Sequence, residues 1–382
     1  MLRIGLVALL VACIFITCPI AHATGPTNVH LEIHPTNVSN SPQISRSPSI
    51  AVDSHGIIHI AWEEGIPSQI YYSYNAGSGW AVPQRVTTGE QPAIAVDPRD
   101  VVHLVFVNEI FGNYNVRYVR RTDSGWTIPV IVASTSGISS APDLAAGDGG
   151  MLYAVWTDNT PGYNVIYYAE YSGTIWMNWY PIPSARGSVP AVFYRQGIVH
   201  VVWQDRDTPA DPYEIYYTQK SEGGWTVPEN LSDTPSQQSI IADLAVDSSG
   251  RAHVGWQEQL SGIYNIYYTR GTPGRWTAPE NISGSTSDAA LPAITADAEE
   301  DIHVVWDESV WLKYRHFSAP VASWGPVVGL WGTEGIADAT IALGRDQVPR
   351  VAWAQRDPGG DWEVYESPLA YWLWMPQVFC TR

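Results

Sequence analysis

One unit returns seven times along this chain. A tryptophan, or once a phenylalanine, recurs at Trp62, Phe106, Trp156, Trp203, Trp256, Trp306 and Trp353, with spacings of 44, 50, 47, 53, 50 and 47 residues. A period of about 40 to 50 residues is that of a propeller blade. Around each anchor the same order returns. Ile50-Ala51-Val52-Asp53 leads to Ile57-Ile58-His59-Ile60-Ala61-Trp62, then to Gln69-Ile70-Tyr71-Tyr72, then to Gly79-Trp80-Ala81-Val82-Pro83. The fifth copy reads Leu244-Ala245-Val246-Asp247, Ala252-His253-Val254-Gly255-Trp256, Asn265-Ile266-Tyr267-Tyr268 and Arg275-Trp276-Thr277-Ala278-Pro279. Four short β-rich runs separated by Gly, Asp, Asn and Ser predict one four-stranded blade per copy. The first two runs are apolar at nearly every position, as expected for strands covered on both faces by neighbouring blades.

The expected fold is therefore all-β, a seven-bladed propeller over residues 24–367. The last copy lacks a clear fourth run. Glu32-Ile33-His34-Pro35-Thr36-Asn37-Val38-Ser39 aligns with Thr277-Ala278-Pro279-Glu280-Asn281-Ile282-Ser283, so the N-terminal run is expected to be the outer strand of the last blade. Pairing both chain ends would close the ring and leave no open edge. Six blades with a separate tail is the alternative count.

The ends define the setting. Met1-Leu2-Arg3, an apolar stretch from Ile4 to Ile20, and Ala21-His22-Ala23 have the three parts of a cleaved signal peptide over residues 1–23. Secretion or display at the cell surface is expected, with no membrane insertion after cleavage. Removal of that segment leaves Cys380 as the one thiol, so packing and not a disulfide must hold the fold. It also leaves 19 Lys and Arg against 38 Asp and Glu, a net charge of −19. Such a surface repels nucleic acid and anionic membranes, and would attract an acidic sugar only where basic residues are concentrated. Residues 368–382, with Tyr371-Trp372-Leu373-Trp374, form a tail too short to span a bilayer.

The order of a Gly-x-x-His-x-x-Trp run, an Ile-Tyr-Tyr run and a Gly-Trp-x-x-Pro run resembles the sialidase-like propellers, which carry BNR or Asp-box repeats. An Asp box, roughly Ser-x-Asp-x-Gly-x-x-Trp, would fall at Tyr74-Asn75-Ala76-Gly77-Ser78-Gly79-Trp80 or Lys220-Ser221-Glu222-Gly223-Gly224-Trp225. The Gly and Trp are present and the Asp is not. The resemblance implies, for an active sialidase, three arginines on the substrate carboxylate, a Tyr nucleophile activated by Glu, an Asp acid/base and a Phe-Arg-Ile-Pro-like motif. That motif is missing, and Arg46 before Ser47-Pro48-Ser49-Ile50 is the nearest counterpart. A shared fold does not carry an activity with it.

Three sets of polar residues follow the repeat. His59, His103, His200, His253 and His303 stand three before the anchor, each in a different blade. They are expected to hydrogen-bond between blades, because separate blades cannot bring them within metal-bond reach. Two after the anchor stand Glu64, Asn108, Asp158, Asp205, Glu258, Glu308 and Gln355. These would either ring one face as ligands for sugar hydroxyls or a cation, or cap their own hairpin turns. Tyr114, Tyr163, Tyr213, Tyr264 and Trp362 stand at the same rim and could stack on sugars.

Two turns depart from the repeat by adding a cation: Asp205-Arg206-Asp207 and Gln355-Arg356-Asp357. The candidate ligand-binding residues are thus Glu64, Asp158, Asp205, Arg206, Glu258, Glu308 and Arg356, with no catalytic residue assigned. The expected function is binding of an extracellular glycan or protein ligand by a monomeric module. A sialidase-like glycoside hydrolase and a protein-interaction platform are the alternatives, and the balance is against an enzyme. No cofactor is called for, Ca²⁺ being the one ion that suits so acidic a surface.

Overall fold

The computed structural model describes residues 29–373 other than 334, 345 and 358. The expected signal peptide and the tail beyond residue 373 lie outside the described residues. Leu31–Ala370 form one compact unit, and Val29–Glu32 pairs with Ala370–Leu373 as a two-stranded ribbon. Apart from one 3₁₀ turn at Asp148–Gly150, the described regular structure is strand.

Seven antiparallel sheets make seven blades, so the count of seven holds and the count of six does not. The inner strands are Ser45–Val52, Glu90–Val96, Ser139–Ala146, Ser188–Arg195, Ser239–Val246, Ala289–Ala296 and Ile336–Leu343. Each neighbours the next, and the last neighbours the first. The second strand Ile58–Glu64 is buried along its whole length, the other second strands are buried over most of theirs, and every anchor ring from Trp62 to Trp353 has no exposed surface. Removing one such ring side chain to Ala would cost about 3–5 kcal/mol.

The fourth strand of blade 7 is the N-terminal segment, as its sequence predicts. Thr36 and Asn37 pair with Glu366 and Tyr365, and Val38 donates its N–H to the Val364 carbonyl at 2.7 Å. Elsewhere the fourth run is often split in two, as in blade 5, where Arg275–Trp276 and Glu280–Asn281 each pair with Ile263–Thr272. The recurring Asn-x-Ser has a structural reason. In blade 5 the Asn281 side-chain oxygen accepts from the Gly284 N–H at 2.8 Å, and Ser283 Oγ accepts from the Ile266 N–H at 3.0 Å.

The five histidines bond within their blades, not between them. Nδ1 of His59, His103, His200, His253 and His303 lies 2.6–2.7 Å from Tyr72, Tyr118, Tyr217, Tyr268 and Tyr314 on the third strand of the same blade. In blades 5 and 6, Nε2 meets Asp247 at 3.0 Å and Asp297 at 3.3 Å. A carboxylate only accepts, so Nε2 carries the proton there and the tyrosine O–H donates to Nδ1. One link between blades is aromatic. Trp126, Trp276 and Trp324 stand edge-on at 5.0, 4.8 and 4.9 Å to Tyr72, Tyr217 and Tyr268 of the preceding blade.

The axis is lined by a second repeated device. Each inner strand carries a bulge whose central residue has positive φ although none is glycine: Ser47, Gln91, Ala141, Val189, Ile241, Leu291 and Asp338. A β-branched residue in that region is strained and persists only when its surroundings hold it. The surroundings are side chains of the residue one past the anchor. Thr157, Gln204 and Gln257 accept the N–H groups of Val189, Ile241 and Leu291 at 3.0, 2.9 and 2.9 Å. Blades 2 and 7 have Val107 and Ala354 there, which cannot accept. The bulge side chains replace them, Gln91 taking the Ala141 N–H at 2.8 Å and Asp338 the Ser47 N–H at 3.0 Å.

Candidate functional site

Whether a ligand can enter between two blades depends on how the seam is filled. Trp62, Trp256, Trp306 and Trp353 donate their indole N–H to Glu64, Glu258, Glu308 and Gln355 at 2.9, 2.9, 3.1 and 3.2 Å. The same carboxylate row accepts from hydroxyls of the chain arriving from the previous blade. Ser41 donates to Glu64 at 2.8 Å, and Thr135 and Ser139 donate to Asp158 at 2.7 and 2.8 Å. Glu64, Asp158 and Glu258 are 6, 0 and 1% exposed. The row is thus a set of clasps between anchor, connector and inner strand. Capping of the residue's own hairpin is confined to blades 3 and 4, through the Thr160 and Arg206 N–H groups.

The seam between blades 3 and 4 is built differently. Opposite the residue two past the anchor five other third strands carry a polar side chain, Gln69, Asn115, Glu214, Asn265 or Glu363, whereas blade 3 carries Val165. Its connector is Arg186-Gly187-Ser188 and brings no hydroxyl to Asp205. Gly187 has φ +108°, and a Cβ there would penetrate the Gln204 carbonyl, so the chain turns at this point only as glycine. Asp205 is one methylene shorter than Glu, and the buried Trp203 indole N–H has no acceptor among the described residues.

The result is a cleft of about 250 Å³ lined by Tyr163, Asn164, Arg186, Asp205, Arg206, Asp207 and Tyr213. The Arg186 guanidinium lies 4.9 Å over the Tyr163 ring and Arg206 lies 4.6 Å over Tyr213. Arg206 also donates to the Pro209 carbonyl at 2.9 Å. Among the described residues neither arginine is in an ion pair with a carboxylate. Desolvation raises the Asp205 carboxyl above the usual range, although the Arg206 N–H at 2.7 Å and the Arg186 charge pull it back. Arginines held by tyrosine faces keep their N–H groups for a ligand, and the tyrosines offer stacking surface.

Of the sequence candidates, the structure brings Asp205 and Arg206 together. Glu308 is half-buried, with Lys313 4.0 Å away. Arg356 folds onto its own hairpin, donating to the Gly360 carbonyl at 3.0 Å, and does not line the cleft. Of the rim aromatics, Tyr163 and Tyr213 line it. Arg186 is the residue that sequence reading missed, and its signal was present: an arginine before glycine where other connectors carry Ser or Thr. Arg46, the counterpart of a sialidase arginine, is committed to Glu63 at 2.6 Å.

Two other places carry less chemistry. A cleft of about 520 Å³ runs between blades 2 and 3 beside Ile128, Val130, Ile131, Ile175 and Trp179, with Arg120 as the one charged group among its lining residues. On the opposite face Asp53, His55 and Asp100 cluster, but Asp53 already accepts from the His55 and Ile57 N–H groups and Asp100 from Ser54.

No family model and no curated protein sequence matches the chain. Its fold is similar to that of a protein of unknown function from Dyadobacter fermentans, at 13% identity and TM-score 0.59, over 91% of this chain and 100% of the other. It is similar to an ulvan lyase bound to a saccharide of glucuronic acid and sulfated rhamnose, at 10% identity and TM-score 0.63, over 88% and 96%. A Hadza microbial sialidase aligns at 12% identity and TM-score 0.53, over 73% of this chain and 66% of the sialidase. The chain is a seven-bladed propeller with the fold of the sialidase-like propellers.

Proposed function

We propose that the chain is a secreted carbohydrate-binding propeller whose ligand sits in the cleft between blades 3 and 4. The observation that carries this reading is the pair of tyrosine-stacked arginines, Arg186 and Arg206, set beside Asp205 and Asp207 in a seam where, among the described residues, neither anchor indole nor connector hydroxyl reaches Asp205. Planar cations, carboxylates and aromatic faces are the groups that hold sugar hydroxyls and sugar C–H faces. The lyase and the sialidase that share the fold are, by name, sugar-active, which supports the choice of ligand class. A glycan array, followed by calorimetry on the best ligand, tests it. Arg186→Ala and Arg206→Ala should each weaken binding by about 10-fold or more, the worth of a hydrogen bond to a charged group. Arg356→Ala should leave it unchanged. Absence of any glycan ligand, or indifference to both cleft arginines, refutes the proposal.

The raised Asp205 carboxyl favours a second reading, in which the same cleft hydrolyses a glycoside with Asp205 as the acid. Turnover of a fluorogenic glycoside panel, abolished in Asp205→Asn, would support it. Silence across the panel would leave binding as the function.

A further inference from the structure

Each seam sets the third-strand residue that pairs with the position two past its own anchor against the residue two past the next anchor. Five seams hold at most one carboxylate at these two positions, as in Asn115 with Asp158 and Asn265 with Glu308. Two hold a pair: Glu214 with Glu258, and Glu363 with Glu64. The second pair lies between blades 7 and 1, where the two ends of the chain close the ring. Glu363 is 4% exposed and Glu64 6%. Ser41 joins them, its N–H donated to Glu363 at 3.0 Å and its hydroxyl to Glu64 at 2.8 Å. Ser39, from the N-terminal strand, donates to Glu363. Among the described residues the other groups facing the pair are Ser45, the Trp62 indole N–H and the Asp357 carboxylate, and none of these is a cation.

Two buried carboxylates on one serine, with no counter-charge, cannot both ionise cheaply. A single proton removes the conflict. We infer that the blade 7–blade 1 seam closes on a protonated Glu363 set against Glu64 through Ser41, so that ring closure is tight in mild acid and loosens as pH rises. Desolvation raises the Glu363 carboxyl, against the hydrogen bonds from Ser39 and Ser41 and with the help of Asp357 and Glu64. The sign follows. A group whose folded-state affinity for protons exceeds its unfolded one gives its full stabilisation below the usual carboxylate range, and loses it as pH climbs through the folded value. The other acid pair carries the same sign, because desolvation also raises Glu258, with Glu214 adding to it.

Glu363→Gln tests the latch, because amides already stand at this position in blades 2 and 5. The melting temperature of Glu363→Gln minus that of the wild type should climb from about pH 5 to about pH 8, a difference in which the histidine contributions common to both proteins cancel. Glu64→Gln should show the same climb, since Gln355 shows that an amide oxygen serves the anchor indole. The double variant should climb no more than either single one. Hydrogen-exchange protection of the Val38 and Val364 amides should drop with pH in the wild type and hold in Glu363→Gln. Wild-type slopes in both single variants would overturn the inference. So would Ca²⁺ that restores the wild type at high pH and leaves Glu363→Gln unmoved, which would put a cation in place of the proton.

Discussion

Trp256 and Trp203 occupy the same place in adjacent blades, and both are wholly buried. Each stacks on the third-strand tyrosine of its own blade, at 6.2 and 6.0 Å. They differ in one hydrogen bond. Trp256 donates to Glu258 at 2.9 Å, whereas the Trp203 N–H has no acceptor. Replacing either by Phe costs a common packing loss of roughly 1–3 kcal/mol. Trp256→Phe also removes a bond to a buried carboxylate, about 1.5–3 kcal/mol more. Trp203→Phe instead relieves a buried N–H without a partner, an offset of about 1–3 kcal/mol. Trp256→Phe should therefore be the more destabilising by roughly 2.5–6 kcal/mol. Urea denaturation measures this, provided both variants keep the wild-type m value. Trp62→Phe and Trp306→Phe should behave like Trp256→Phe, and Trp156→Phe like Trp203→Phe, because the Trp156 N–H is also unpartnered. If the two variants agree within about 0.5 kcal/mol, or Trp203→Phe is the worse, the clasp has no energetic content.

Burial pushes the His103 and His200 imidazoles down to about 4. The unfolded chain takes up those protons near 6.5, so stability present above that pH is lost as pH falls to about 4, by up to about 3 kcal/mol per histidine. His200→Gln should flatten this acid limb of the denaturation midpoint, and an unchanged limb would refute the burial argument. Gly187→Ala forces a Cβ into the Gln204 carbonyl at φ +108°; it should lower the melting temperature and weaken ligand binding at the cleft together. Retention of both would show that the blade 3–blade 4 turn is softer than its geometry implies.

The blade count, the anchors and the ring closure were legible because each is written several times over. Pro35-Thr36-Asn37-Val38-Ser39 could be placed in blade 7 before any coordinates, since two other copies show what an outer strand looks like. The carboxylate row was legible as a pattern and misread as to role, for a reason that lies in three dimensions. Strand parity shows which face a side chain takes, but not that Ser41 or Thr135 arrives from the previous blade to fill the space beside it. The bulges were invisible, because Val189 and Ile241 have no sequence mark of positive φ; only the polar residue one past the anchor hinted at what they need.

The cleft follows the same logic in reverse. A propeller that repeats a clasp at its seams excludes ligands by default, and access requires that a seam lose its clasp. Three substitutions achieve this between blades 3 and 4: Val165 for a polar third-strand residue, Arg186 for a hydroxyl connector, and Asp205 for a glutamate that would reach its indole. Each alone is unremarkable in composition, and Arg206 with Arg356 looked like the matched pair because both break the repeat at the same turn. Partnership in space was decided by the connector, where Arg186 stands, and not by the turn. Arg356 has no such neighbour: blade 7 receives Gln355 as its clasp, and Trp331 of blade 6 donates to that amide at 2.9 Å, filling the place where a cleft would open.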